Sequence, residues 1–217
     1  MWQFLVAGGP FMFLLVATSV VSLTYIVERG FALRRQRVVP DALERALDRC
    51  HSRDDLPALQ AACQQTPSTL ARLTSTVIEH LPAPKADNAD ALQTRARAEV
   101  QQLERGLVVL EVVVGIAPLL GLVGTIHGLI TLFGDIGKTG ITDNAVMARG
   151  ISIALNTTLT GLLIAIPSLV AWSFFSRRVE SYAVEMETLM DDFLRRQYRR
   201  KSKAGGKDSA RGALETE

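Results

Sequence analysis

Five side chains able to handle a proton or a cation stand inside stretches that otherwise hold few polar groups: Glu111, Thr125, His127, Asn156 and Thr158. A hydroxyl or amide in hydrocarbon finds no water, so it must bond a local carbonyl, a neighbouring helix or a wet cavity. The plain structural outcome is the first, because a threonine readily bonds its own preceding turn. The other outcomes would place Thr125, Asn156 and Thr158 on an ion path. Glu111 lies four residues inside one end of its apolar stretch. From there it could exchange a proton, reach the interface along its aliphatic stem, or pair with Arg105. His127 follows Thr125 by two residues, about 200° around a helix. That turns it away from any surface lined by Thr125, toward helix packing or an outer interface. Cys50 and Cys63 show no CxxC or Cys/His ligand spacing, and His51 and His80 are scattered, so neither a metal site nor a disulfide framework is expected. With no nucleotide loop and no nucleophile–base set, the chain is not expected to be an enzyme or to hold a cofactor.

The elements that must position these groups are membrane spans. Of the 217 residues, 48% are hydrophobic and the mean hydropathy is +0.19, but the charges are crowded between three long apolar runs rather than interspersed. A span needs about 20 apolar residues, and Phe4 to Val27, Leu107 to Phe133 and Gly150 to Phe175 each qualify. The first run has no basic residue before it and no small-residue cleavage site after it, which reads as a retained anchor rather than a signal peptide. Twelve Lys/Arg lie between Glu28 and Gly106 and ten follow Phe175, whereas the link between the second and third spans holds only Lys138 and Arg149. By the positive-inside rule the N-terminus is outside and both long polar segments are cytoplasmic. The expected fold is all-α. It comprises an anchor over 1–28, a cytoplasmic helical segment over 29–102, a two-span region over 103–184, and a helix end with a tail over 185–217.

Between the spans, Asp41 with Glu44 three residues on resembles a capped helix start, with a break near Pro57. Pro67-Ser68 opens a second short helix, and Pro82-Ala83-Pro84 with Asp87-Asn88 marks a loop. From about Asp90, apolar residues at three- and four-residue spacing predict one helix running into the second span. A similar stripe from Val179 to Phe193 carries the third span onward. From Lys201 the chain is polar and Gly-containing, and is expected to lack regular structure. The basic run Arg195 to Lys203 could bind anionic membrane lipid or be an ordinary solvated face. A formal net charge of +2 gives no reason to expect nucleic acid.

Within the second and third spans, Ala117, Gly121, Gly124 and Gly128, and Gly150, Ala154, Thr157, Gly161, Ala165 and Ser168, form stripes of small residues. Such stripes let helix backbones approach closely in lipid, and Pro118 and Pro167 could bend the helices around a cavity. The run Ala117-Pro118-Leu119-Leu120-Gly121-Leu122-Val123-Gly124-Thr125-Ile126-His127-Gly128 is followed by Gly150-Ile151-Ser152-Ile153-Ala154-Leu155-Asn156-Thr157-Thr158, Gly161-Leu162 and Ala165-Ile166-Pro167. Together they resemble the paired signatures of the MotA/TolQ/ExbB channel family, over roughly Leu103 to Val184. The resemblance implies a ring, of five copies, whose second and third spans line a pore, with Thr125 and Thr158 matching pore-facing threonines. It also implies an ExbD/TolR-like single-span partner that carries an essential aspartate, and a TonB-like protein crossing the periplasm of an inner-membrane system. TolQ-like, sodium-driven and non-conducting scaffold versions of the same plan stay open. Ile153 stands where ExbB and TolQ proteins usually carry glutamate, so this chain cannot supply that carboxyl.

Overall fold

The computed structural model describes residues 9–140 and 144–214, the side chains of 53, 139 and 200–214 excepted. Its helices are α1 (Gly9–Ala32), α2 (Arg35–Val38), α3 (Asp41–Arg49), α4 (Leu56–Gln65), α5 (Thr69–Glu79), α6 (Lys85–Glu104), α7 (Leu107–Thr139) and α8 (Asn144–Leu214), with a 3-10 turn at Arg53–Asp55. The described residues contain no strand. The all-α architecture stands, and α1, α7 and α8 are each long and apolar enough to cross a membrane. The start of the first predicted span, residues 4–8, lies outside the described residues. The chain divides into two compact units. One combines residues up to Phe31 with Arg105–Ser176, and the other combines Ala32–Glu104 with Arg177–Glu217.

The first unit holds α1, α7 and the first part of α8. It buries small residues and exposes large ones. Ala117 and Ala154 are buried, while Leu119, Ile130, Leu163 and Val170 face outward. That is the reverse of a water-soluble core and is what hydrocarbon solvent selects. Pro118 and Pro167 lie inside α7 and α8, which continue through both. Each proline removes one helix hydrogen bond.

The second unit has a conventional apolar core. Leu43, Leu47, Leu70, Leu73 and Val77 from α3 and α5 meet Met186, Met190 and Phe193 of α8. Its polar contacts are long-range. Arg72 of α5 holds the buried Glu99 of α6 through Nε at 2.8 Å and Nη2 at 2.5 Å, and Arg95 reaches the same carboxylate at 2.8 Å. Arg35 bridges Asp41, Glu44 and Glu185.

Several local expectations are corrected. Asp41 does not cap α3. Pro40 occupies that place with no side-chain bond, and Asp41 accepts from Arg35 Nε at 3.1 Å instead, because an arginine within reach competes for the carboxylate. Pro57 begins α4 rather than breaking a helix, as suits a residue whose missing N–H would be unbonded in a first turn. The break falls at Cys50–Ser52, where Asp55 accepts from the backbone N–H groups of His51 and Ser52. Ser68 does cap α5, accepting from the Ala71 N–H at 3.1 Å. Asp87 and Asn88 lie within α6, not in a loop. Asn88 is fully buried and donates to the Val77 carbonyl at 3.0 Å and to Tyr198 Oη at 3.2 Å, so tertiary bonding overrides its turn propensity.

The single helix expected to run into the second span is two, interrupted at Arg105-Gly106. A Cβ at Gly106 would fall on the guanidinium of Arg29, which would have to swing aside to make room for it. The tail expected to lack regular structure carries helical backbone to Leu214. Extending a helix already formed needs no new nucleus, and no proline stands in the way.

Candidate ion-pathway site

α7 and α8 run antiparallel and touch where side chains are absent or short. A Cβ on Gly161 would lie 2.5 Å from the Ala117 carbonyl oxygen, and one on Gly121 would lie 2.9 Å from Thr158 Cα. Gly128 faces Ala154 and Gly124 faces Thr157, each at about the closest distance a Cβ tolerates. The predicted packing residues Gly121, Gly124, Gly128 and Gly161 therefore lie in one seam.

In that seam Thr125 Oγ1 lies 2.5 Å from Thr158 Oγ1, 2.9 Å from the Ala154 carbonyl oxygen and 3.3 Å from Thr157 Oγ1. Thr157 donates to the Ala154 carbonyl at 2.6 Å, and Thr158 donates to the Gly121 carbonyl at 3.1 Å. The cluster thus holds three hydroxyls and two backbone carbonyls. Five oxygens supply about ten lone pairs against three hydroxyl protons and the two helix N–H groups, of Thr125 and Thr158, whose bonds the carbonyls accept. Acceptors are in surplus in the cluster. Neither bonding to the same helix nor bonding to a neighbour describes it alone. Thr125 is within 3.2 Å of its own Gly121 carbonyl and also reaches across to α8.

Thr157 is the member that sequence reasoning took for a packing residue only. It is 1% exposed, and its hydroxyl joins the cluster. The signal was its place in the small-residue stripe, where a hydroxyl cannot reach water. A second polar contact links α1 to α8, with Ser22 Oγ 2.6 Å from Ser168 Oγ and Ser168 donating to the Ile164 carbonyl.

The other candidates stand apart. Asn156 is half-buried on a different face of α8, where its carbonyl accepts from Thr160. Glu111 is exposed, and among the described residues it makes no ion pair with Arg105. It is 14 residues from Thr125, about 21 Å along α7. Ile153 is half-buried one residue before Ala154. His127 turns outward and lies tilted against the Phe11 ring, centroids 5.4 Å apart and planes at 59°, a packing contact. Outside the spans, burial raises the Cys50 and Cys63 thiols above their ordinary range, with Asp55 adding to the effect at Cys50 and a Ser75 hydrogen bond opposing it at Cys63. The described residues contain no cluster of His, Cys, Asp or Glu suited to a metal ion.

Three membrane-length helices, two of them joined through small residues around a buried oxygen cluster, define an integral membrane protein. Residues 65–188 match the MotA/TolQ/ExbB proton channel family, and the chain belongs to that family. The match begins well before Leu103, so it takes in α5 and α6 as well as the two spans.

Among relatives, the TolQ protein of the Tol-Pal system of Pseudomonas aeruginosa is 31% identical over 196 residues, 84% of each chain. A Synechocystis protein named biopolymer transport protein ExbB-like 1 is 33% identical over 175 residues, 76% of this chain and 66% of its own. The biopolymer transport protein ExbB of Aquifex aeolicus is 30% identical over 112 residues, 52% of this chain and 75% of its own. The chain thus spans just under two thirds of the Synechocystis relative.

Proposed function

We propose that this chain is the ExbB-like channel subunit of an ion-driven motor in a bacterial inner membrane, N-terminus outside and C-terminus in the cytoplasm. Five copies form a ring whose α7 and α8 surround the spans of an ExbD-like partner. Ion flow past the seam moves the partner, and a TonB-like protein carries that motion to the outer membrane. The observation that carries this reading is the hydroxyl and carbonyl cluster at Thr125, Thr157 and Thr158, set at mid-span in a member of a proton channel family. Glu111, further along α7, is proposed as a proton exit group at the cytoplasmic end. The glutamate missing at Ile153 leaves the titrating carboxyl to the partner, with this chain supplying oxygens that pass the proton on.

The 31% identity to a TolQ protein supports a Tol-type motor as the alternative cargo. Identification of the periplasmic protein that co-purifies with the complex separates the two. A sodium-driven version is favoured by one feature, an all-oxygen cluster without a carboxylate, which is suited to a hard monovalent cation. The test is ion flux into liposomes holding this chain, alone and with its ExbD-like partner. Proton flux that requires the partner, and stops when the partner's aspartate is replaced, supports the proton motor. Flux carried by sodium and not by protons supports the second version. A complex that passes neither ion supports a scaffold.

A further inference from the structure

Asn156 and His127 are two polar side chains near mid-span that the cluster does not use. Asn156 sits 12 residues into α8, about 18 Å along the helix. Its amide has two donor hydrogens and two acceptor lone pairs, yet among the described residues the side chain has no partner. Lipid tails offer none, so in the membrane the amide needs a wet cavity or a group from another chain. The His127 ring touches Phe11 on one side, while its two nitrogens have no hydrogen-bond partner among the described residues.

The two lie at matching depth. The antiparallel seam sets Gly128 against Ala154 and Thr125 against Ala154 and Thr158, so Asn156 is level with the stretch that includes His127, within roughly 5 Å along the axes. Side chains lean toward the N-terminus of their own helix. In this antiparallel pair that tilt brings the amide and the imidazole toward each other's level.

They also lie on different edges of the three-helix unit. α1 rests against both partners, through Phe11 at Gly124 and His127 on α7 and through Ser22 at Ser168 on α8. His127 therefore marks the α1–α7 edge. Asn156 is one turn before Thr160, which lines the cleft between α1 and α8, and so marks the α1–α8 edge. Rotation about an axis along the membrane normal preserves depth. In a ring of head-to-tail copies, one such edge meets the other edge of the next copy.

We infer that the Asn156 amide of one copy hydrogen-bonds the His127 imidazole of the next, so that the pair fixes the register between neighbouring subunits. The inference rests on the multi-copy assembly proposed above. Its occupant is a second copy of this chain, because the needed group is present there at the needed depth.

The test co-expresses a His127→Cys chain and an Asn156→Cys chain carrying different epitopes, and treats the membranes with a short bis-methanethiosulfonate. The native Cys50 and Cys63 are buried and give a low background. A dimer band bearing both epitopes is expected at about tenfold the level seen when either variant is paired with the unmodified chain, since bridging needs near neighbours. Native mass measurement of the same material reports the number of copies. Several copies without the mixed band would overturn the contact while leaving the assembly reading intact. A single copy would overturn both. In addition, His127→Leu and Asn156→Leu should each speed subunit exchange, and the double variant no more than either; additive effects would overturn the pairing.

Discussion

The two units of this chain solve the same packing problem in opposite ways. Around the α7–α8 seam, contact is made by Gly121, Gly161, Ala117 and Ala154, and the large side chains face out. In the helical unit built on α3 to α6, the interior is Leu43, Leu73, Met186 and Phe193, and charges face out apart from the buried, arginine-paired Glu99. The difference teaches that burial of apolar surface drives assembly only where water is the alternative. In lipid, close backbone approach and hydrogen bonding take that role. One consequence is functional. Because glycines bring the α7 and α8 backbones together, their carbonyls and threonine hydroxyls fall within bonding distance of each other.

The largest expected effect lies in the soluble-type core. Phe193→Ala should destabilise that unit by about 3–5 kcal/mol, read by denaturant unfolding. Leu163→Ala, at a position 63% exposed in the span unit, should leave its stability nearly unchanged. Equal losses would break the contrast. Next, Gly161→Ala should cost the seam about 1–3 kcal/mol, through overpacking against the Ala117 carbonyl, whereas Gly115→Ala meets nothing and should be silent. Titration with a denaturing detergent would read both.

Glu99→Gln should cost about 1–2 kcal/mol, a figure reduced because Arg72 and Arg95 are each more than 40% exposed and partly screened by solvent. High salt should shrink that loss, but not the loss at Phe193. The smallest effect is a pH slope. Burial raises the Cys50 and Cys63 thiols, so the unfolded chain releases its protons first as pH rises. Their contribution is complete below the ordinary thiol range and is lost as pH rises through that interval. Replacing both cysteines with alanine should flatten the unfolding midpoint over that interval.

The three spans and the stripes of small residues were legible in the sequence, because apolar length and three- and four-residue spacing act locally, whereas Thr125 and Thr158 read as separate members of two motifs and not as a bonded pair. What escaped was set by distant partners. Asn88 reads as a turn residue until Val77 and Tyr198 bond it inside α6. Asp41 reads as a cap until Arg35 takes its carboxylate. Thr157 reads as a spacer until the seam turns its hydroxyl toward Thr125. The space beside Gly106 is filled by Arg29, 77 positions earlier in the chain.

In the proposed motor, the Thr125 cluster passes ions because its oxygens are bonded across the seam. The direct test measures ion flux through the complex with its ExbD-like partner in liposomes, comparing Thr125→Ser, Thr125→Val and the unmodified chain. Serine keeps the hydroxyl and should retain most of the flux, whereas valine keeps the shape without the oxygen and should lower it by about tenfold or more, at unchanged assembly. Flux through the valine variant equal to that of the unmodified chain would contradict the claim.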